Sequence, residues 1–144
     1  MGRSLAALLS GERDFIANLA NTSALLWQEL PDINWVGFYL LKGSDLVLGP
    51  FQGKPACVRI ALGKGVCGTA AQQRKSLVVP DVHEFAGHIA CDTASNSEVV
   101  VPLLKNGELL GVLDVDSPRL SRFDAIDRSG LEVVVETLLS ASST

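Results

Sequence analysis

The chain has 144 residues, a length that builds one domain and leaves no room for a second. Twelve Lys and Arg stand against 16 Asp and Glu, and the resulting formal charge of −4 argues against nucleic acid or an anionic membrane surface as a partner. Apolar residues make up 47%, yet the longest apolar runs, such as Val99 to Leu104, fall far short of the roughly 20 residues that a membrane span requires.

From Glu12 to Leu30 the apolar residues Phe15, Ile16, Leu19, Leu25, Leu26, Trp27 and Leu30 recur near helical spacing, and Pro31 ends the pattern. This predicts one amphipathic helix with a short helical turn before it. Trp35 to Leu41 and Leu46 to Gln52 are aromatic and branched runs joined by Lys42-Gly43-Ser44-Asp45, which reads as a hairpin. A short strand near Val58 to Ile60 follows. Leu62 to Ala71 is a glycine-rich entry into a helix ending near Arg74, and Leu77 to Val79 is the next strand. The glycine-rich run lacks the terminal Gly-Lys-Ser/Thr of a phosphate-binding loop, which argues against nucleotide hydrolysis. Pro80 to Asn96 is polar and irregular, and loops of that length in a small domain usually carry function. Ser97 to Lys105 and Glu108 to Ser117 flank Asn106-Gly107, the strongest hairpin signal in the chain. Asp124 to Leu139 closes it as a helix with Ile126, Leu131, Val134, Val135 and Leu138 on the apolar side. The expected class is α+β, with helices packed on a largely antiparallel sheet of about six strands.

Met1 to Leu9 has neither the apolar core nor the cleavage site of a secretory signal, so a cytoplasmic location is expected. Three cysteines, Cys57, Cys67 and Cys91, are an odd number for a reducing compartment and call for burial, catalysis or metal binding. His83 and His88 are further ligand types, but no short Cys-x-x-Cys pair exists and the separations match no common structural zinc site. No metal or other cofactor is expected, and both histidines read as loop surface. Cys67 sits at a helix start, where burial is the plain reading, although a helix N-terminus also lowers a thiol pKa and leaves it some claim to reactivity.

Strand alternation puts Val36, Phe38 and Leu40 on one face and Trp35, Gly37 and Tyr39 on the other. The second set gives two large aromatics with a gap over glycine, a slot for a flat or methyl-sized group. Likewise Leu113 and Val115 face one way, and Asp114 and Asp116 the other. Paired carboxylates in an apolar strand are costly unless a cation or proton neutralises them, or unless that sheet face is wet. Glu98 begins the partner strand. A tight two-residue loop at Asn106-Gly107 pairs it with Val115 on the core face, whereas a one-residue bulge near Pro102 or Gly111 returns it to the face of the two Asp residues. An acidic cluster therefore requires a bulge.

Asn34-Trp35-Val36-Gly37-Phe38-Tyr39, Leu48-Gly49-Pro50-Phe51-Gln52-Gly53, Gly65-Val66-Cys67-Gly68, His88-Ile89-Ala90-Cys91-Asp92, Ser95-Asn96-Ser97-Glu98 and Leu113-Asp114-Val115-Asp116-Ser117 together resemble the free methionine-R-sulfoxide reductases, which are stand-alone GAF domains. The resemblance spans about Trp35 to Val135. It implies a GAF-like fold and reduction of free methionine (R)-sulfoxide, with Cys91 as the nucleophile that becomes a sulfenic acid. It also implies a resolving thiol, Cys57 with Cys67 as the alternative, and thioredoxin as reductant of the resulting disulfide. Trp35, Tyr39, Glu98, Asp114 and Asp116 map to substrate binding, with Glu98 and Asp116 assigned to the sulfoxide and Asp114 to the ammonium. The rival expectation is a GAF-type sensor that binds a small ligand without turnover, a reading weakened because the chain ends after its last helix. GAF domains commonly pair through terminal helices, so a homodimer is expected.

Overall fold

The computed structural model describes residues 2–87 and 94–144. Two helices, α1 (Gly2–Leu9) and α2 (Phe15–Glu29), precede the strands β1 (Trp35–Lys42), β2 (Asp45–Gly53) and β3 (Arg59–Ala61). Helix α3 (Gly65–Gln73), strand β4 (Leu77–Val79) and a 3-10 turn (Val82–Glu84) lead to the long hairpin β5 (Ser97–Lys105) and β6 (Glu108–Ser117), and α4 (Ala125–Ala141) closes the chain. The starts of α2 and α4 are built from short acids. Asp14 accepts the Ala17 N–H at 2.8 Å to begin α2, and Asp124 with Asp127 forms a reciprocal capping box on α4.

The six strands form one antiparallel sheet in the order β3-β2-β1-β6-β5-β4. On one face Val36, Phe38, Val99, Val101, Leu103, Leu113 and Val115 pack against α1, α2 and α4 through Leu5, Leu19, Leu26, Leu131, Val134 and Leu138. On the other, Trp35, Tyr39, Val100 and Val112 meet Val66, Cys67, Ala70 and Ala71 of α3. Both faces are therefore covered, and the face carrying Asp114 and Asp116 is not wet. Each fully buried side chain of Phe38 or Leu113 type contributes about 1.5 to 3 kcal/mol, so the three-helix layer holds most of the apolar stabilisation.

Two expectations about the helices need correction. Ile16, Trp27 and Ile126 are 52, 41 and 81% exposed, so they lie off the apolar faces assigned to them. In α2 the buried face instead carries Asn18, Thr22 and Ser23 beside Leu19 and Leu26. Asn18 earns that place by hydrogen bonding: its Nδ2 donates to Glu12 O and to Ser142 Oγ, both at 3.0 Å, tying the start of α2 to the end of α4.

The bulge is present. Lys105 pairs with Glu108 and Leu104 with Leu109, but Leu103 pairs with Gly111, which leaves Leu110 as the extra residue. Below the bulge Glu98 faces Asp116 and Val100 faces Asp114. One residue in the strand thus moves Glu98 from the core face to the acidic face. The glycine-rich run serves docking rather than phosphate binding: a Cβ on Gly68 would collide with the Ala61 carbonyl oxygen, and Gly63 N donates to Gly68 O at 2.8 Å. That close approach seats the first turn of α3, with Cys67, against the sheet.

Candidate active site

Register decides which side chains meet. On the face covered by α3, Trp35 of β1 lies opposite Asp116 and Gly37 opposite Asp114, and β5 adds Glu98 opposite Asp116. Trp35, Tyr39, Glu98, Asp114 and Asp116 line one pocket of about 50 Å³, and Cys67 and Lys64 close it from the start of α3. Every predicted site residue among the described positions except Cys57 lines this pocket. Cys91 lies outside the described residues, as does His88.

The acids are deeply placed. Asp114 is 5% and Glu98 8% exposed, and the Cys67 thiol donates to Glu98 Oε2 at 3.8 Å. Among the described residues the ion pairs are Arg59–Asp45, Arg119–Asp32 and Arg122–Asp127, so no protein cation neutralises Glu98 or Asp114. Burial pushes both carboxyls well above the usual range, reinforced by the Asp114 charge at Glu98 and by the Asp116 charge at Asp114. Burial therefore favours the protonated form of both carboxyls. Asp114 Oδ1 is buried without a hydrogen-bond partner. An unmet acceptor in an acidic pocket is a receptor for a cationic or N–H-bearing group.

Cys67 does not gain from its helix start. Burial, followed by the charges of Asp114, Glu98 and Asp116, drives its thiol well above the ordinary value and keeps it protonated. This corrects the expectation of a pKa lowered by the helix. Cys67 is a free thiol, whereas the half-buried Cys57 is engaged in a disulfide.

The aromatic wall also differs from the expected slot. Trp35 leans over Gly37 and stacks on Tyr39 at 5.8 Å between ring centroids, with Phe51 stacked on it at 5.3 Å. A group sandwiched between two rings needs a separation of about 7 Å, so no methyl fits between Trp35 and Tyr39. The rings form one continuous wall facing the acids. Phe51 is not assignable from sequence, because its place opposite Gly37 depends on a register shift between Gly37 and Tyr39; the unshifted hairpin would put Pro50 there. The polar ends of the wall are committed: Trp35 Nε1 donates to Lys54 O and the Tyr39 hydroxyl to Cys57 O, both at 3.1 Å. These two bonds fasten the segment that carries Cys57 to the pocket. His83 is an exposed residue of the 3-10 turn whose Nε2 lies 3.0 Å from Asn96 Oδ1.

The six-stranded antiparallel sheet with α3 closing a pocket on one face is that of a GAF domain, a family that matches residues 7–141. Free methionine-R-sulfoxide reductase of Escherichia coli is 54% identical over 144 residues, covering 100% of this chain and 87% of that protein. Among solved structures, fRMsr of Staphylococcus aureus in complex with its substrate is 52% identical with a TM-score of 0.93, covering 97% of this chain and 92% of that one. Free methionine-R-sulfoxide reductase from Neisseria meningitidis, also in complex with its substrate, is 43% identical with a TM-score of 0.94, covering 97% of this chain and 84% of that one. The chain belongs to the free methionine-R-sulfoxide reductases, a family of GAF-domain oxidoreductases.

Proposed function

We propose that this chain reduces free L-methionine (R)-sulfoxide through Cys91, with Cys57 as the resolving thiol and thioredoxin as the reductant in the cytoplasm. The observation that carries the reading is the convergence of Glu98, Asp114 and Asp116 on one pocket with an aromatic wall, with no ion pair to the two buried acids among the described residues. The substrate supplies what this pocket lacks. Its ammonium pairs with Asp114, whose Oδ1 has no partner, and its methyl group lies against Trp35 and Tyr39. Glu98, whose carboxyl pKa burial raises, donates to the sulfoxide oxygen, with Asp116 beside it on the same oxygen.

The Cys91 thiolate attacks the sulfoxide sulfur while the oxygen is protonated. The new bond between the Cys91 sulfur and the methionine sulfur and the S–O bond then break as the hydroxyl passes to the Cys91 sulfur, so methionine leaves reduced by two electrons and Cys91 is left oxidised by two as a sulfenic acid. The Cys57 thiol then displaces that oxygen as water, forming a disulfide that a thioredoxin dithiol opens by exchange. A disulfide at Cys57, with Cys67 free and hydrogen-bonded to Glu98, supports Cys57 over Cys67 in the second step.

The test is turnover of free methionine sulfoxide and its N-acetyl derivative, each resolved into R and S epimers, with thioredoxin and its reductase. Free R epimer is expected to be consumed and the S epimer to persist. Acetylation removes the ammonium and strands a buried carboxylate, at a cost of about 3 to 5 kcal/mol, or a few hundredfold or more in kcat/KM. Equal turnover of free and acetylated compounds would sink the pocket assignment. Stoichiometric binding with no methionine released would instead favour a sensor.

A further inference from the structure

We propose that Cys67, Glu98 and Asp114 form a site for a thiophilic divalent cation of the Zn²⁺ type, which excludes substrate while it is bound. The inference rests on the reading of this pocket as the substrate site. Spacing along the sequence could not assemble this set, because α3, β5 and β6 each contribute one member. The three side chains are buried and offer ligand atoms that all lie within 4.8 Å of one another.

Geometry and ligand chemistry select the ion. Tetrahedral zinc, with Zn–S near 2.3 Å and Zn–O near 2.0 Å, sets sulfur and oxygen ligands about 3.5 Å apart. Cys67 Sγ and Glu98 Oε2 are 3.8 Å apart, so closure there needs a movement of a few tenths of an ångström. Independently of the cluster, the buried Asp114 Oδ1 has no hydrogen-bond partner and belongs to the pocket lining, a coordination position left open. A thiolate with two carboxylates suits Zn²⁺ or Cd²⁺, whereas Mg²⁺ and Ca²⁺ require at least six oxygen ligands. As the cation enters, the thiol proton and the protons held by the carboxyls leave to solvent, and its two positive charges offset two of the three ligand charges. Asp114 cannot serve the cation and a substrate ammonium together.

The disulfide form of the full chain, in which Cys67 is a free thiol, should be titrated with Zn²⁺ by calorimetry and with Cd²⁺ by ultraviolet absorbance. One equivalent is expected to bind with proton release and, for Cd²⁺, a thiolate-to-metal band. Cys67→Ser should abolish the band, and Cys67→Ser and Asp114→Asn should each weaken binding at least tenfold; if Asp114→Asn fails to fold, Glu98→Gln replaces it. Free methionine sulfoxide should raise the apparent Kd of Cd²⁺ in proportion to its concentration. Absence of the band, affinity indifferent to these substitutions, or indifference to methionine sulfoxide would overturn the proposal. Cation binding with these signatures by a protein that turns over no methionine sulfoxide would keep the cation site and remove the reading of the reaction.

Discussion

Replacing Asp114 by Asn should change how the stability of the ligand-free protein depends on pH. In the fold, Asp114 is held above its ordinary pKa by burial first and by the Asp116 charge second, and Glu98 by burial and the Asp114 charge. Cys67 from α3 and Tyr39 from β1 face the same group. A carboxyl whose pKa is raised on folding binds more protons in the native state than in the unfolded chain. Its stabilising contribution is complete below the ordinary carboxyl range, near pH 4, and is lost as pH rises through the raised value. Within that window each such carboxyl removes about 1.4 kcal/mol of stability per pH unit. For a domain of this size, 1 kcal/mol moves Tm by about 4 °C, so one carboxyl gives a fall of about 5 °C per pH unit. Two raised carboxyls act in the wild type; Asp114→Asn removes one of them and also the charge that helps raise the other, so the fall of Tm with pH above the ordinary carboxyl range should be at most half as steep in the variant. Thermal melts followed by circular dichroism, with the disulfide kept intact, measure it. The difference between the two proteins cancels titrations they share. A wild-type Tm that is flat or rising relative to Asp114→Asn above that range would refute the description of the acids as buried and proton-bearing.

Cys91→Ser should abolish thioredoxin-dependent turnover with little change in the Tm of the reduced protein, and residual turnover above a trace would move the nucleophile elsewhere. Cys57→Ser should release one equivalent of methionine and then stall, visible as a burst by chromatography; full steady-state activity would return the resolving role to Cys67. Tyr39→Phe removes the hydrogen bond to Cys57 O and should cost about 1 kcal/mol while slowing disulfide formation in stopped flow; an unchanged rate would mean that this bond does not position Cys57. Gly68→Ala forces a Cβ into the Ala61 carbonyl oxygen and should lower stability by about 1 to 3 kcal/mol, read as a lower Tm.

The last hairpin was the most legible part of the chain. Its strands are strongly apolar and its Asn106-Gly107 tip has the chemistry of a tight turn, with both residues at positive φ. Even the bulge was legible as a condition: two acids on one strand and a third on its partner share a face only if one strand gains a residue. What periodicity could not decide was which apolar residues have a neighbour to pack against. Ile126 has helical spacing with Leu131 and Val134, but at the second position of α4 no element covers it. Asn18 and Ser23 carry no apolar signal, and their burial goes with hydrogen bonds to the end of α4 and to Pro50, contacts made across the fold. In the site, residue types and faces were legible, while the stacking of Trp35 on Tyr39 and Phe51 and the contact of Cys67 with Glu98 were not. Those depend on how α3 seats and how β1 twists against β2, which alternation along a strand does not encode.

The extra residue at Leu110 divides the β5–β6 hairpin into a portion that sets the chemistry and a portion that does not. Between Glu98 and Leu103, adding or deleting one residue reverses every side chain of β5 relative to β6 and scatters the acids. Beyond the bulge, the tip at Asn106 and Gly107 is exposed and fixes no pocket residue. Gly107 O accepts from Arg74 Nη1 at the end of α3 at 2.8 Å, so a peptide spliced between Asn106 and Gly107 leaves the register of the acids in place but loads the helix that holds Cys67. The tip serves as a fusion port for an affinity tag or a fluorescent reporter only if that bond is kept.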